Sequence, residues 1–397
     1  MVGAGFTGLA AARRLAEHDA GARIVLIEAQ RVGNGASGRN SGFVVDLGCY
    51  EEHFGREDNQ RLLRLGQAGL LRLRQLVQQH KIDCGWNEWG RLHVAASDRA
   101  MRSLEAFCRS MEGLGEPCEV LEADAVAALT GTTYYRAGAR RQGTALVQPA
   151  ALVRGLAAAL PGNVELFEQS PVHGIRLGPR IQLDCADGSV IADEVLLATN
   201  AYTPLLGFGK CRVFPMLTFA SLTRPLRGEE QAALGPHTEW GLVSAERVGS
   251  SVRRLPNGRL LIRNTACYGH RLRHADRQLR RIGEIHRASL GARFPALRDV
   301  ELEYTWGGVM GMSANGAPFF GRVRSGVLAV TGDNGHGIAL GTAAGALMAD
   351  LAVGCPSELL CDIQQLPAPA WVPPNPLLRI GVQVTTRFLQ WRARREL

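Results

Sequence analysis

The opening of this chain, Met1-Val2-Gly3-Ala4-Gly5-Phe6-Thr7-Gly8, constrains its fold more than any other stretch. Glycines at this spacing suit a strand that turns sharply into a helix. Gly3 permits the tight turn, Gly5 lets the backbone approach a pyrophosphate, and Gly8 allows close packing of helix on strand. An Ala/Leu/Arg helix follows to about His18, and then a buried strand, Arg23-Ile24-Val25-Leu26-Ile27-Glu28, that ends on an acid. Glu28 stands 20 residues beyond Gly8, where a carboxylate can accept hydrogen bonds from ribose hydroxyls. The helix start offers free N–H groups and a positive dipole end to a phosphate. One feature departs from the pattern. A strand usually has about five or six residues, and only Met1-Val2 precede Gly3. Two-residue stubs do not ordinarily make a central parallel strand, so the expectation is a misplaced start with the true one upstream. The alternative is a non-catalytic remnant that lost its cofactor with its first strand.

The remaining pattern extends the nucleotide-binding expectation. Residues 33–42, GNGASGRNSG, read as a Gly/Ser/Asn loop. Residues 57–80 place Leu62, Leu63, Leu65, Leu70, Leu73 and Leu76 at helical spacing, and further helices are expected near 98–114 and 122–130. From Pro149 the pattern runs helix and then short strands, with a hairpin signal at Asp187-Gly188 and an apolar strand at 194–198. The end returns to strand (327–331), glycine loop (GDNGHG, 332–337) and helix (338–353). The expected fold is α/β. It has a Rossmann-like domain, discontinuous over 1–50, 145–210 and 322–357, and a mixed-sheet α+β substrate domain over 51–144 and 211–321. A tail with a basic amphipathic helix would occupy 358–397.

Composition narrows the function classes. With 46% hydrophobic and 21% charged residues in 397, the chain can bury a sizeable core and is not globally disordered. No run approaches about 18 apolar residues and no secretory signal leads the chain, so a cytoplasmic protein is expected. Nine cysteines, an odd number without a CxxC pair, indicate neither a disulfide framework nor a metal site. The net charge of +8 is unevenly placed. Residues 247–298 hold thirteen arginines against Asp276 and Glu284, and 371–397 hold five against Glu396. A basic insert can attract an acidic substrate or nucleic acid, or be a solvated arginine-rich surface. Since lysine occurs only at 81 and 210, general arginine bias favours the last reading, and no nucleic-acid partner is expected.

Four segments resemble the D-amino-acid-oxidase type of FAD-dependent oxidoreductase (the DAO family), nearest its gamma-glutamylputrescine oxidoreductase-like branch. They are VGAGFTGLAAARRLAEH at 2–18, GNGASGRNSGF at 33–43, WGGVMGMSANGAPFFGRV at 306–323 and GDNGHGIALGTAAGALMADL at 332–351. The resemblance implies FAD, held non-covalently by Gly3, Gly5, Phe6, Thr7, Gly8 and Glu28 at its adenosine-pyrophosphate end. Ala36, Ser37, Arg39, Asn40, Ser41 and Gly42 would run toward the flavin. Val172 would meet adenine, and Thr199 and Asn200 would make a second approach to the phosphates. Asn334, Gly335, His336, Gly337 and Ile338 would face the flavin pyrimidine, where a helix N-terminus stabilises negative charge in the reduced ring. The implied activity is oxidation of the C–N bond of a small amine or amino acid to an imine. It proceeds by hydride transfer to flavin N5, with oxygen, a quinone or another carrier as electron acceptor.

Departures from the family pattern bear on the substrate. Ser313-Ala314-Asn315-Gly316 stands where an acid-bearing segment is common, and Arg263-Asn264 replaces a glycine pair. Arg263 is thus a candidate clamp for an acidic group, with Trp306 and His336 as further substrate-side candidates. No catalytic residue can be named, and the position of His336 suggests that its backbone matters more than its ring. There is no cysteine in GVMGMS to attach flavin covalently. The apolar and arginine residues after Pro374 read either as a helix in peripheral contact with a membrane or as one capping the protein's own surface. A competing reading is a flavin-bearing RNA-modifying or RNA-binding protein that uses the basic insert.

Overall fold

The computed structural model describes residues 1–47 and 54–397. Cys49 and the domain boundary expected at residue 50 lie outside the described residues. A parallel sheet organises the first layer. Its strands run, in spatial order, Val164–Phe167, Ile24–Ile27, Val2, Val195–Leu197 and Val327–Thr331, with Phe319–Arg324 antiparallel at the edge. The two-residue opening does fill the central place. Val2 bridges both Ile27 and Leu197 in parallel, with backbone hydrogen bonds on each side. Val2 N–H donates to Leu196 O and Gly3 N–H to Ile27 O, while Met1 O and Val2 O accept from Ile27 and Ala198. The expectation that so short a stub could not act as a central strand is therefore corrected.

The strands here are continuous apolar runs because both faces are covered. Leu328 and Val330 join the core of the helical face, whereas Val327 and Ala329 join the opposite core. On that opposite face sits an antiparallel meander, Val172–Arg176, Ile181–Cys185 and Gly188–Ala192, with Asp187-Gly188 at the expected hairpin. The helical face carries Phe6–His18, Ala339–Val353 and Arg56–Gln79. Leu62, Leu63, Leu65, Leu70, Leu73 and Leu76 of Arg56–Gln79 share one core with Leu9, Ala12 and Leu347. This helix thus packs with the nucleotide-type layer, whereas the sequence assigned 51–144 to the second domain.

The second layer is an eight-stranded mixed sheet in the order Leu302–Met312, Phe214–Thr223, Leu260–Tyr268, Ser251–Arg254, Trp240–Ser244, Arg91–Ala95, Ala137–Arg141, Glu119–Glu122. Leu92, Val94, Leu242, Val252 and Ile262 point to one face, in a core shared with Leu290 of the helix Asp276–Arg293. By strand alternation, His93, Val243, Ser251 and Arg263 point to the other. A two-stranded ladder, Phe43–Val45 with Thr144–Leu146, connects the layers.

The helices Phe6–His18 and Ala339–Val353 touch backbone to backbone. A Cβ built on Gly345 would fall 2.1 Å from Thr7 O. Gly345→Ala should therefore cost about 1–3 kcal/mol, the range for overpacking a tight contact. Gly113→Ala, with nothing within 4 Å of its Cβ position, should be neutral or slightly stabilising. Urea unfolding of both variants checks the contrast.

Candidate active site

The two layers enclose a cavity of about 1230 Å³. That exceeds the roughly 300–1,000 Å³ typical of one small-ligand pocket, so there is room for a large cofactor and a substrate together. At one end lies the start of the helix Phe6–His18. Gly3 has φ +99°, and a Cβ there would fall 2.6 Å from Ala198 O. The helix has no side-chain cap and no acid in its first turn, and Phe6 N–H donates to Ser37 Oγ at 3.3 Å. The residues of this N-terminus, Gly3 to Thr7, line the cavity, and the positive end of the helix dipole faces it. Glu28 closes the neighbouring strand, its two carboxylate oxygens accepting from Ala4 N–H at 2.9 Å and Gln30 N–H at 3.0 Å. Two backbone donors fix the carboxylate and leave lone pairs for a ligand's hydroxyls.

The loop over 33–42 is held by its own side chains. Asn40 Nδ2 donates to Ser37 O at 2.7 Å and its Oδ1 accepts from Gly42 N–H at 2.9 Å. Arg39 donates to Asn34 O and, across the cavity wall, to Gly307 O. From the large sheet the buried Arg253 reaches the carbonyls of Ser41, Gly42 and Val147 while paired with Glu239 at 2.6 Å. Burial lowers the Arg253 pKa, and Glu239 counters that. Arg253 was not singled out in the sequence. Among a run of arginines nothing distinguishes the one whose partner lies 14 residues upstream.

At the other end the loop over 332–338 is built on Asp333 and Asn334. Asn334, at φ +51°, donates to Gly316 O and Gly332 O and accepts from Ser313 N–H. Asp333 accepts from Asn200 Nδ2 at 3.0 Å and Gly335 N–H at 3.2 Å. Asn200 Oδ1 in turn accepts from Gly311 N–H. Burial pushes the Asp333 carboxyl up to about 6, against the pull of those two donors. The sequence reading passed over Asp333, because its partner is 133 residues away. His336 N–H donates to Asp333 O. The helix Ala339–Val353 begins beside this loop with no side-chain cap and no acid in its first turn.

The large sheet supplies the cavity's far wall. Cross-strand pairing puts Ala220, Arg263, Ser251, Val243 and His93 in one row, and all five line the cavity. Arg263 donates to Ser251 Oγ at 3.3 Å. Burial alone pulls its pKa down, and no carboxylate among the described residues pairs with it. His93 is buried, with Nε2 lacking a hydrogen-bond partner. Burial first, then Arg91 and Arg141, hold it neutral.

Almost all of the sequence-selected residues meet in this cavity. Gly3, Gly5, Phe6, Thr7, Glu28, Ala36, Ser37, Arg39, Asn40, Ser41, Val172, Thr199, Asn200, Arg263 and Asn334 through Ile338 line it. Gly8 and Gly42 do not. Their Cβ positions are occupied by Gly3 O and by Arg253 and Val147, so they serve packing. Trp306 also stands outside the lining and donates its indole N–H to Arg39 O at 2.9 Å. The basic insert is not one exposed face, since Arg253, Arg254 and Arg293 are buried. His18, Asp350 and Cys355 cluster elsewhere, but one Asp350 oxygen already serves both His18 and Arg14 at 2.6 Å.

Residues 1–351 match the family model described as "FAD dependent oxidoreductase". The chain is 31% identical over 382 residues to the probable oxidoreductase OrdL of Rhizobium meliloti, covering 94% of this chain and 86% of that one. It is 29% identical over 362 residues to the gamma-glutamylputrescine oxidoreductase of Escherichia coli, covering 89% and 83%. Among solved structures, glycine oxidase from Geobacillus kaustophilus superposes with a TM-score of 0.76 at 23% identity, over 90% of this chain and 94% of that one.

The Asp333 environment makes stability depend on pH. A carboxyl that titrates near 6 when folded and near 3.8 when unfolded leaves the native state holding the extra proton between those values. Its burial therefore costs little below about pH 4 and its full amount above about pH 6. Asp333→Asn should raise the melting temperature of the cofactor-free protein at pH 7.5 and leave it nearly unchanged at pH 4. Thermal unfolding at the two pH values checks this.

Proposed function

The chain belongs to the family of FAD-dependent oxidoreductases, and from that premise we propose that it oxidises the C–N bond of a small amine or amino acid bearing an acidic group. The observation that carries this reading is Arg263, a half-buried guanidinium that lines the cavity without a carboxylate partner among the described residues, while two helix N-termini face the same cavity. A cation held partly out of water without a counter-charge is costly, and a ligand anion relieves that cost. Within the relatives' range of substrates, a carboxylate or phosphonate on the amine suits the guanidinium fork.

The residues present fit the cofactor. A side chain at Gly3 would strike Ala198 O and one at Gly5 would strike Ser37 Oγ, so the tight turn into the helix start requires both glycines, and the N–H groups there suit a pyrophosphate. Glu28 would accept from the adenosine ribose hydroxyls, and Val172 would lie against adenine. Ala36 through Ser41, with Thr199 and Asn200, would line the path to the flavin, held non-covalently. Asn334 to Ile338 and the following helix N-terminus would stabilise negative charge at the pyrimidine side. Bound FAD supplies a two-electron acceptor, as a hydride equivalent, for the carbon next to the amine. The protein's own share is positional. Arg263 anchors the acidic group, and the enclosing layers keep water from the reacting carbon until the imine is released to hydrolysis. Oxygen or a quinone would take the electrons onward.

Two substitutions separate the ends of the site. Glu28→Ala should weaken FAD binding by about 1.5–3 kcal/mol, the range for hydrogen bonds to a charged group, and leave turnover at saturating FAD nearly unchanged. Fluorescence titration with FAD and steady-state assays read this. Arg263→Ala should leave FAD occupancy intact and raise the half-saturating concentration of an acid-bearing amine by at least about tenfold, with no effect on its uncharged ester. Equal penalties on acid and ester would refute the clamp.

A further inference from the structure

The helix Leu377–Arg392 has two apolar faces, and the fold uses only one. Leu378, Val382, Thr386 and Leu389 line the cavity as part of its roof. Ile380, Val384, Phe388 and Trp391 point outward and are each 51–62% exposed, and Leu377, at the cavity margin, is 63% exposed. Their spacing of three and four residues makes a single stripe along a helix about 24 Å long. The nearby Trp371 is exposed as well. The helix is not a loose tail. Val372 N–H donates to Cys211 O before it, and after it Arg293 and Ser250 N–H hold the carbonyl of Glu396. The stripe is therefore displayed by a fixed scaffold.

Charge identifies the occupant. Arg387 and Arg392 flank the stripe on its two sides by helical geometry, and Arg379, Arg394 and Arg395 add to them. The one acid of this segment, Glu396, turns inward and accepts from Ala96 N–H, Ser97 and Ser244. Phe388 and Trp391 stack at 6.2 Å, and the guanidinium groups of Arg392 and Arg394 lie over their rings at 5.2 and 5.9 Å. Aromatic rings and snorkelling arginines around an aliphatic stripe match the boundary between lipid tails and headgroups. A second copy would instead set two sets of arginines against each other. No single helix among the described residues is long and apolar enough to cross a membrane, so the contact is one of lying on the surface.

We propose that Leu377–Arg392 docks the protein on an anionic lipid bilayer, with the stripe in the acyl boundary and the arginines on headgroup phosphates, so that the roof of the cavity faces the membrane. The test is co-sedimentation of the FAD-loaded protein with vesicles of phosphatidylglycerol and phosphatidylcholine, and with phosphatidylcholine alone. The protein should pellet with the anionic vesicles, with a blue shift of tryptophan fluorescence. Binding should fall at least about tenfold between 0.1 and 0.5 M salt. Val384→Glu with Phe388→Glu should abolish pelleting while FAD stays bound. Val120→Glu, at an exposed position on the large sheet's edge strand, should pellet as the unaltered protein does. Failure of the unaltered protein to pellet with anionic vesicles would overturn the proposal, as would equal pelleting of the double variant. A lipid-free dimer that the double variant turns into monomer in light scattering would assign the stripe to self-association instead.

Discussion

The backbone ladder of Val2 is the constraint from which the rest of the site follows. By pairing with Ile27 on one side and Leu197 on the other, it fixes where Gly3 must turn. That turn in turn fixes where the helix Phe6–His18 points. A helix N-terminus concentrates about half a unit of positive charge within its first turn, so aiming it correctly is most of what an anion site requires. The same ladder sets Glu28 beside Ala4, whose N–H it accepts, and so aligns the acid with the helix start. Close contacts of Gly345 with Thr7 and of Gly8 with Gly3 lock this geometry from behind.

Electrostatics divides the arginines of one insert into opposite roles. Arg253 and Arg263 lie on adjacent strands, the first buried and the second half-buried at the cavity wall. Arg253 meets Glu239 and three carbonyls, and it holds the loop at 41–42 against the sheet. Arg263 meets one serine hydroxyl. A charge held partly out of water without a counter-charge is costly, and in the proposed function a ligand's acidic group supplies that counter-charge. Asp333 is the counterpart at the flavin-loop end. It has two hydrogen-bond donors and, among the described residues, no cation partner, and burial raises its carboxyl to about 6.

Much of this was legible in the sequence because the features are local. The glycine spacing, the acid 20 residues on, the GASGRNSG loop and the GDNGHG loop each declare a backbone geometry within a few residues. Arg263 stood out because, with Asn264, it stands where the resembled family has a glycine pair. What was hidden depends on pairing across long stretches of chain. Asp333 reads as a turn residue until Asn200 is brought to it, and Arg253 reads as surface until Glu239 is. Helix Arg56–Gln79 joined the nucleotide-type layer through Gly69, whose Cβ would fall 1.9 Å from Ala339 O, a contact that periodicity cannot specify. Trp306 illustrates the opposite error. Its motif lies at the cavity, but strand geometry puts its indole on the Arg39 carbonyl at the margin.

In the proposed function one cavity holds FAD at the two helix N-termini and an acid-bearing amine at Arg263. Titration of the cofactor-free protein with FAD, followed by addition of amines without oxygen while the flavin spectrum is recorded, puts both halves to the test. The protein should turn yellow, and at least one amine with an acidic group should bleach the flavin, leaving a carbonyl product. A protein that retains no FAD, or a retained flavin that stays oxidised with every acid-bearing amine while an uncharged amine reduces it, would refute this arrangement.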